Sequence, residues 1–381
     1  MPETLPGINL PTKTRLDHLE PSEHLESARV RHTSLSRPYR RFSGPFLENP
    51  TFTPSSDSSH APEASLYTYH KAHQLISLPA KLGGLGILSM FKCAPYAYTA
   101  SSEASDRTLQ PLLLIRPPEQ VPDDTDTQDK TPIPSQKERC TQAFEATHND
   151  LLLTLSVAEA QSVQESATYL GSRWLSIIPF HSSLRLSDFE LSAALHHRTL
   201  SPSKRTYCQH CGIRNEIMHD EVCPARPKWR IARHELLKYT LVDALSRCSS
   251  LGKVRAEPYV SGTHLRTDIS ISGCQANGTG PQEFDITIVS LASSQFRSTD
   301  PNKNTPQQVL SRAAQAKNTK YAARTASKFV PLVFSLGGAM ETQCSSTLQS
   351  WKDHIPFGTH SFLLRRISIL LLRARFRFFE G

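Results

Sequence analysis

Hydrophobic and polar residues follow a helical period in several stretches of the first half of the chain. The segment after Gly86, the stretch "FEATHNDLLLTLSVAEAQSVQES" and the stretch that starts at Ser187 each predict a helix. Glu190 lies three residues after Ser187, which is the spacing of a capping box. An acidic, proline-rich segment, residues 117–137, interrupts this pattern and is predicted to be a linker.

The second half of the chain contains short runs that are rich in β-branched residues. In order, it holds a helix ("RIARHELLKYTLVDALSR"), three strands ("KVRAEPYV", "HLRTDISIS", "EFDITIVSLA"), a helix ("TPQQVLSRAAQAKNTKYAARTAS") and a strand ("KFVPLVFSLGG"). This order predicts an α/β core over residues 230–340. A basic amphipathic helix within residues 341–381 is predicted to pack on that core rather than on a membrane.

The first helix of this core carries apolar residues at helical spacing. Its predicted stripe consists of Ile231, Leu236, Leu237, Thr240, Leu241 and Leu245. We expect this stripe to be the buried face of the helix.

Composition limits how much of the chain can form a core. Only 38% of the 381 residues are hydrophobic and 27 are proline, so some segments cannot bury enough apolar surface to fold. Residues 1–66 show neither a strand period nor a helix period and are predicted to be disordered. We therefore expect a multi-domain α+β chain with ordered regions joined by linkers.

The charge and the cysteine content indicate the partner and the compartment. A net charge of +8 and an isoelectric point near 9.1 favour a polyanion, and DNA or RNA is the first candidate. The cysteines outside one cluster are scattered, and neither a signal peptide nor a run of ~18 apolar residues is present. We expect a nuclear or cytoplasmic protein that has no membrane partner, and its oligomeric state stays open.

Four potential metal ligands lie close together in the sequence: Cys208, Cys211, His219 and Cys223. Three thiolates and one imidazole are a ligand set that zinc binds with tetrahedral geometry. Gly212 follows the second cysteine and gives the backbone the freedom that a tight turn requires. The spacing therefore predicts a structural zinc site that has no open position for water.

Basic residues follow this cluster on the first helix of the predicted core. They are Arg230, Arg233, His234 and Lys238. We expect these side chains to contact the phosphates of a bound nucleic acid.

Two carboxylates lie on neighbouring predicted strands, with Asp268 at the start of one strand and Asp285 within the next. Oxygen ligands on adjacent strands suit Mg²⁺, which lowers the pKa of a bound water and stabilises charge on a scissile phosphate. Glu257, on the preceding strand, is a third candidate acid. Strand-borne aspartates are also common at surfaces and in turns, so a non-catalytic interpretation stays open.

The segment from Cys208 to Leu237, with its cysteine–histidine cluster followed by "RIARHELL", resembles the C-terminal region of non-LTR retrotransposon polyproteins that carry a restriction-like endonuclease. In that family a zinc knuckle follows the reverse transcriptase and precedes a nuclease of the PD-(D/E)XK type. The segment "LPAKLGGLGILSMFKCAPYAYTAS" is similar to the thumb-proximal end of such a reverse transcriptase, and "WLSIIPFHSSLRLSDFELSAAL" is similar to the linker before the knuckle.

The resemblance implies an order of regions along the chain. They are a thumb-like remnant (67–116), the acidic linker (117–137), a helical linker region (138–203), the zinc knuckle (204–229), the endonuclease domain (230–340) and the basic helical region (341–381). The chain has no aromatic-x-Asp-Asp polymerase motif, so it is not expected to polymerise DNA.

The resemblance also implies an activity, which is metal-dependent nicking of target DNA. Asp268 and Asp285 would hold the Mg²⁺ ion. The family's usual lysine lies two residues after the second carboxylate, where this chain has Thr287. Lys317 or Lys320, on the following helix, would then orient the attacking water. A catalytically inactive, zinc-dependent nucleic-acid-binding remnant is the alternative, and a protein-interaction module supported by zinc is a third possibility.

Overall fold

The computed structural model describes residues 63–113, 134–201, 206–225, 227–260, 263–272, 281–321, 323–325 and 327–376. All of these residues belong to one compact unit. Most of the predicted disordered tail and of the predicted acidic linker lies outside the described residues. Helices nevertheless begin inside both predicted segments, at Glu63 and at Gln136.

Most of the described residues are helical. The α-helices are α1 (Glu63–Ser77), α2 (Met90–Leu113), α3 (Gln136–Thr154), α4 (Val157–Ala167), α5 (Tyr169–Arg173), α6 (Asp188–Arg198), α7 (His219–Val222), α8 (Pro227–Ser246), α9 (Pro306–Tyr321), α10 (Thr342–Ser350) and α11 (Phe357–Phe376). The predicted capping box of α6 is confirmed, because Ser187 Oγ accepts from Glu190 N at 3.1 Å and the Glu190 carboxylate accepts from Ser187 N at 2.9 Å.

Four strands form one mixed sheet in the order β1–β2–β3–β4. The strands are β1 (Lys253–Ala256), β2 (Ile269–Ser272), β3 (Gln282–Val289) and β4 (Lys328–Ser335). Neighbouring strands among β1, β2 and β3 are antiparallel, and β4 runs parallel to β3. Helix α9 connects β3 to β4. The predicted order of helix, three strands, helix and strand is confirmed, and the chain is α+β.

Helices cover both faces of this sheet. On one face, Leu241 of α8 and Ile367 of α11 belong to the same apolar cluster as Phe284 of β3. On the other face, Leu310 of α9 clusters with Val333 of β4. The predicted packing of the C-terminal basic helix on the core is therefore confirmed.

The buried face of α8 differs from the predicted apolar stripe. Four of its six residues are buried, but Ile231 and Leu236 are 66% and 43% exposed. Arg233 and Lys238 are buried instead, with 5% and 0% of their surface exposed. Lys238 ion-pairs with Glu257 beside the sheet, so a charge contact helps to set the rotation of the helix.

A buried arginine joins the first helices to the rest of the unit. Arg198, the last residue of α6, is 3% exposed and donates hydrogen bonds to three backbone carbonyls. The acceptors are the oxygens of Gly84 at 2.8 Å and of Ala80 and Gly171 at 3.0 Å each. One side chain therefore connects the turn after α1 with α5 and α6.

We expect Arg198→Met to lower the free energy of unfolding of the full chain by about 3 kcal/mol, because three buried carbonyls lose their donor. Urea denaturation followed by circular dichroism measures this. Arg247→Met is the matched control, since the Arg247 side chain is 70% exposed and pairs with Asp243, four residues before it. That control should change the free energy by less than about 0.5 kcal/mol; equal losses in the two variants would contradict the prediction.

Candidate metal centre and acidic site

The four predicted zinc ligands come together in space. The ligand atoms of Cys208, Cys211, His219 and Cys223 all lie within 4.8 Å of one another. Cys208 Sγ is 3.9 Å from Cys223 Sγ, and Cys211 Sγ is 3.2 Å from His219 Nε2. Tetrahedral bonds of about 2.0–2.3 Å to one ion place neighbouring ligand atoms about 3.3–3.8 Å apart. The geometry therefore fits a metal ion and is compatible with zinc, whereas a disulfide needs about 2.05 Å.

The local backbone explains how this cluster forms. Gly212 has a φ of +71°, and its N–H donates to the oxygen of Cys208 at 2.9 Å, which closes the turn between the first two cysteines. Burial raises the pKa of the Cys208 thiol, but hydrogen bonds from the N–H groups of His210 and Cys211 and from the side chains of His219 and Cys211 together lower that pKa to about 6. The turn thus stabilises the thiolate, which is the form that binds a metal.

Helix α7 attaches the cluster to the core. Glu221, between ligands His219 and Cys223 in sequence, is 3% exposed. Its carboxylate accepts a hydrogen bond from Ser290 Oγ at 2.5 Å and forms an ion pair with Arg375 Nε at 2.5 Å. The residues that would hold the metal are therefore tied to the end of β3 and to α11.

The double substitution Cys208→Ser with Cys211→Ser should abolish stoichiometric zinc and lower the melting temperature, because metal binding contributes to folding of the cluster. Metal analysis and thermal denaturation measure the two effects. Cys93→Ser with Cys140→Ser is the control, since these partly exposed thiols lie outside the cluster. Full zinc retention in the first double variant would refute the assignment.

Three acids occupy one row across the sheet. The last paired residues are Ala256 with Ile269 and Ile269 with Phe284. Glu257, Asp268 and Asp285 each lie one residue beyond these pairs. The backbone bond from Glu257 N to Asp268 O, at 2.9 Å, continues the first register, whereas Asp268 N donates to Phe284 O at 2.9 Å, one residue before Asp285. Burial raises the pKa of Asp285, and the nearby charge of Asp268 adds to that rise. The sheet thus brings the predicted acids next to each other.

Asp268 lies where pairing between the backbones of β2 and β3 gives way to a side-chain contact. Its Oδ2 accepts from the N–H of Ile286 at 2.6 Å. His234 Nε2, from α8, is 3.1 Å from Asp268 Oδ2 and 3.1 Å from the Ile286 oxygen. Burial raises the pKa of Asp268, but the hydrogen bond with His234, the N–H of Ile286 and the charge of Lys317 together lower that pKa. The same hydrogen bond raises the pKa of His234.

Asp285 faces the other layer of helices. Its side chain is 6% exposed, and Lys317 Nζ of α9 lies 2.7 Å from its Oδ2. Burial raises the pKa of Asp285, and the charge of Lys317 offsets only part of that effect. Lys320 is exposed, and its ammonium lies 4.6 Å from the ring centroid of Tyr321. Of the two predicted lysines, Lys317 is therefore the one in contact with an acid.

Glu257 is engaged by cations. It has a φ of +50°, and its carboxylate pairs with Lys238 of α8 and with Arg266. Lys238 also pairs with Glu235 at 2.6 Å. These contacts tie α8 to the edge of the sheet beside the acidic row.

The predicted phosphate contacts differ in accessibility. Arg233 and Lys238 are buried, so neither can reach a phosphate in this conformation. His234 is directed at Asp268. Arg230 is exposed and donates to the Val222 oxygen at 3.2 Å. The sequence predicted a phosphate contact for His234 and did not predict its contact with Asp268.

No family model and no curated protein matches this sequence. Within the described residues, none of the helices combines the length and the apolar character that crossing a membrane requires.

The His234–Asp268 contact predicts a pH-dependent stability. The pKa of His234 is raised above its ordinary value of 6.5, so its contribution is present in full below about pH 6.5 and is lost as the pH rises through the raised value. His234→Gln should therefore cost more free energy of unfolding at about pH 5.5 than at about pH 9. Urea denaturation at both pH values measures this. The exposed His264 supplies a control, since His264→Gln should cost the same at both; a pH-independent loss in His234→Gln would contradict the prediction.

Proposed function

We propose that this chain is a retrotransposon-derived, metal-dependent DNA endonuclease whose core is of the restriction-like PD-(D/E)XK type and whose knuckle holds structural zinc. One observation carries the proposal. Asp268 directly precedes β2, Asp285 lies in the neighbouring strand β3, and Lys317 Nζ is 2.7 Å from the Asp285 carboxylate. Two strand-borne carboxylates beside a lysine are what hydrolysis of a phosphodiester by Mg²⁺ requires.

The surroundings of the pair support a divalent cation as ligand. The site proposed for Mg²⁺ would offer two carboxylates, those of Asp268 and Asp285. Mg²⁺ commonly uses one or two carboxylates and keeps several waters, so a pair suffices. Thr287, two residues after Asp285, has a buried hydroxyl without a hydrogen-bond partner in the described part of the chain. Such an atom marks a polar site beside the acids.

The chain's own residues would then have distinct roles. Asp268 and Asp285 would hold Mg²⁺, which when bound lowers the pKa of water and neutralises charge on the phosphate. Lys317 would orient the attacking water and donate a hydrogen bond to a phosphate oxygen. His234 holds the Asp268 carboxylate at the position where β2 and β3 separate. Arg230 is exposed and available for a phosphate contact.

Nicking of supercoiled plasmid by the full chain tests the endonuclease proposal. We expect nicking with added Mg²⁺ and none without it; omitting Mg²⁺ rather than adding a chelator leaves zinc in place. Asp268→Ala and Asp285→Ala should abolish nicking. Lys317→Ala should reduce it by about 10²-fold or more, because a positioned catalytic group is lost. Lys320→Ala, on the same helix, is the matched control and should change the rate little. If Asp268→Ala nicked the plasmid as fast as wild type, the assignment would be refuted.

A catalytically inactive nucleic-acid-binding protein is the second candidate. It is favoured by one observation, namely that both carboxylates already contact cations, with Asp268 3.1 Å from His234 and Asp285 2.7 Å from Lys317. Such a protein would bind DNA without nicking it.

Binding to DNA should weaken steeply with salt under either candidate function, because phosphate contacts release counterions. Arg230→Ala should lower the dependence of log affinity on log salt concentration by about one unit. Fluorescence anisotropy with a labelled duplex at several salt concentrations measures both. Arg247→Ala is the control, because Arg247 is exposed and directly follows α8. Affinity that is independent of salt would favour a protein-interaction module instead.

A further inference from the structure

The hairpin that continues β1 and β2 past the acidic row presents an aromatic residue beside an arginine. Tyr259 forms a backbone bridge with Arg266 and is 68% exposed. The guanidinium carbon of Arg266 lies 5.3 Å from the ring centroid of Tyr259. The two side chains together form a surface that is both aromatic and cationic.

Several contacts anchor this hairpin. The hydroxyl of Tyr321 donates to the backbone oxygen of Arg266 at 3.0 Å, and the Arg266 guanidinium pairs with Glu257. Val260, the neighbour of Tyr259, is 2% exposed. The ring of Tyr259 is therefore held in solvent by an anchored backbone, since the residue after it is buried.

The hairpin surface lies close to the proposed catalytic acids. Arg266 precedes Asp268 by two residues, so their Cα atoms lie within about 7 Å of each other. Two base steps of DNA span about the same distance, at ~3.4 Å per step on each strand. A nucleotide next to a phosphate at Asp268 would thus come within reach of Tyr259.

Stacking distinguishes an unpaired base from a paired one. Bases in a duplex are stacked on their neighbours, whereas an unpaired base can offer its face to an aromatic side chain, and every base has such a face. A cation beside the ring adds attraction for the neighbouring phosphate. We propose that Tyr259, supported by Arg266, stacks on an unpaired DNA base that flanks the phosphate at the acidic row. The location of that phosphate rests on the proposed function, but stacking itself requires no cleavage.

Binding of two matched DNA probes to the full chain tests this proposal. One probe is a duplex with a single unpaired 2-aminopurine, and the other is the same duplex with that base paired. Measurements without added Mg²⁺ prevent metal-dependent cleavage. Wild type should bind the unpaired probe about tenfold more tightly and quench its fluorescence, because stacking is lost to a paired base.

Three variants separate stacking from a structural role. Tyr259→Leu keeps an apolar side chain without a ring face and should remove the preference and the quenching, while Tyr259→Phe should retain both. Tyr169→Leu is the matched control, because Tyr169 is 50% exposed and lies under Arg173 at 5.4 Å, on α5. The control should leave the preference unchanged.

The outcomes are decisive in both directions. No preference or quenching in wild type, an unchanged preference in Tyr259→Leu, or an equal loss in Tyr169→Leu would overturn the proposal. A loss of affinity that is equal for both probes would assign Tyr259 to duplex contacts instead and would also overturn it. If the chain preferred the unpaired probe in a Tyr259-dependent way and yet did not nick plasmid, that result would support the stacking proposal and contradict the endonuclease proposal.

Discussion

The guanidinium of Arg375 lies between two buried carboxylates, and this contact holds the unit together. Arg375 Nη2 donates to Glu165 Oε2 at 2.8 Å, and its Nε lies 2.5 Å from Glu221 Oε1. Glu165 has no exposed surface and also accepts from Gly337 N at 3.1 Å. A Cβ on Gly337 would lie 2.5 Å from the Cβ of Glu165, so only glycine allows this approach. Removing one partner of such a network leaves a buried charge uncompensated, which commonly costs about 3–5 kcal/mol. Four segments, α4, α7, α11 and the turn after β4, therefore meet at one cation.

This network makes the metal centre part of the core. Glu221 lies between two of the four potential ligands, so metal coordination and the Arg375 ion pair constrain the same short helix. Ser290, which donates to Glu221, directly follows the strand that carries Asp285. The cluster is also followed by α8, which brings His234 to Asp268. The metal centre is therefore connected to the acidic row in two ways, through β3 and through α8.

The acidic row shows how the sheet tolerates several carboxylates in one place. Each acid has at least one basic partner: Glu257 has Lys238 and Arg266, Asp268 has His234, and Asp285 has Lys317. Lys238 and His234 come from α8 on one face of the sheet, Lys317 comes from α9 on the other face, and Arg266 comes from the hairpin that follows β1. Burial and opposite charge act against each other here, and they leave the pKa of Asp285 raised and that of Asp268 lowered. Two carboxylates with opposite shifts are the kind of pair that acid–base chemistry uses.

The sequence by itself determined the elements and the metal ligands. Residue periodicity predicted the order of helices and strands around the sheet, the Ser187–Glu190 spacing predicted the start of α6, and the cysteine–histidine spacing predicted ligands that do meet. These signals span a few residues, so they need no knowledge of distant contacts. Only the tertiary structure decided which face of α8 is buried, that Lys317 rather than Lys320 contacts Asp285, and that His234 contacts Asp268. Helix rotation and the approach of α8 and α9 to the sheet depend on packing and ion pairs between residues far apart in the chain, which local patterns do not encode.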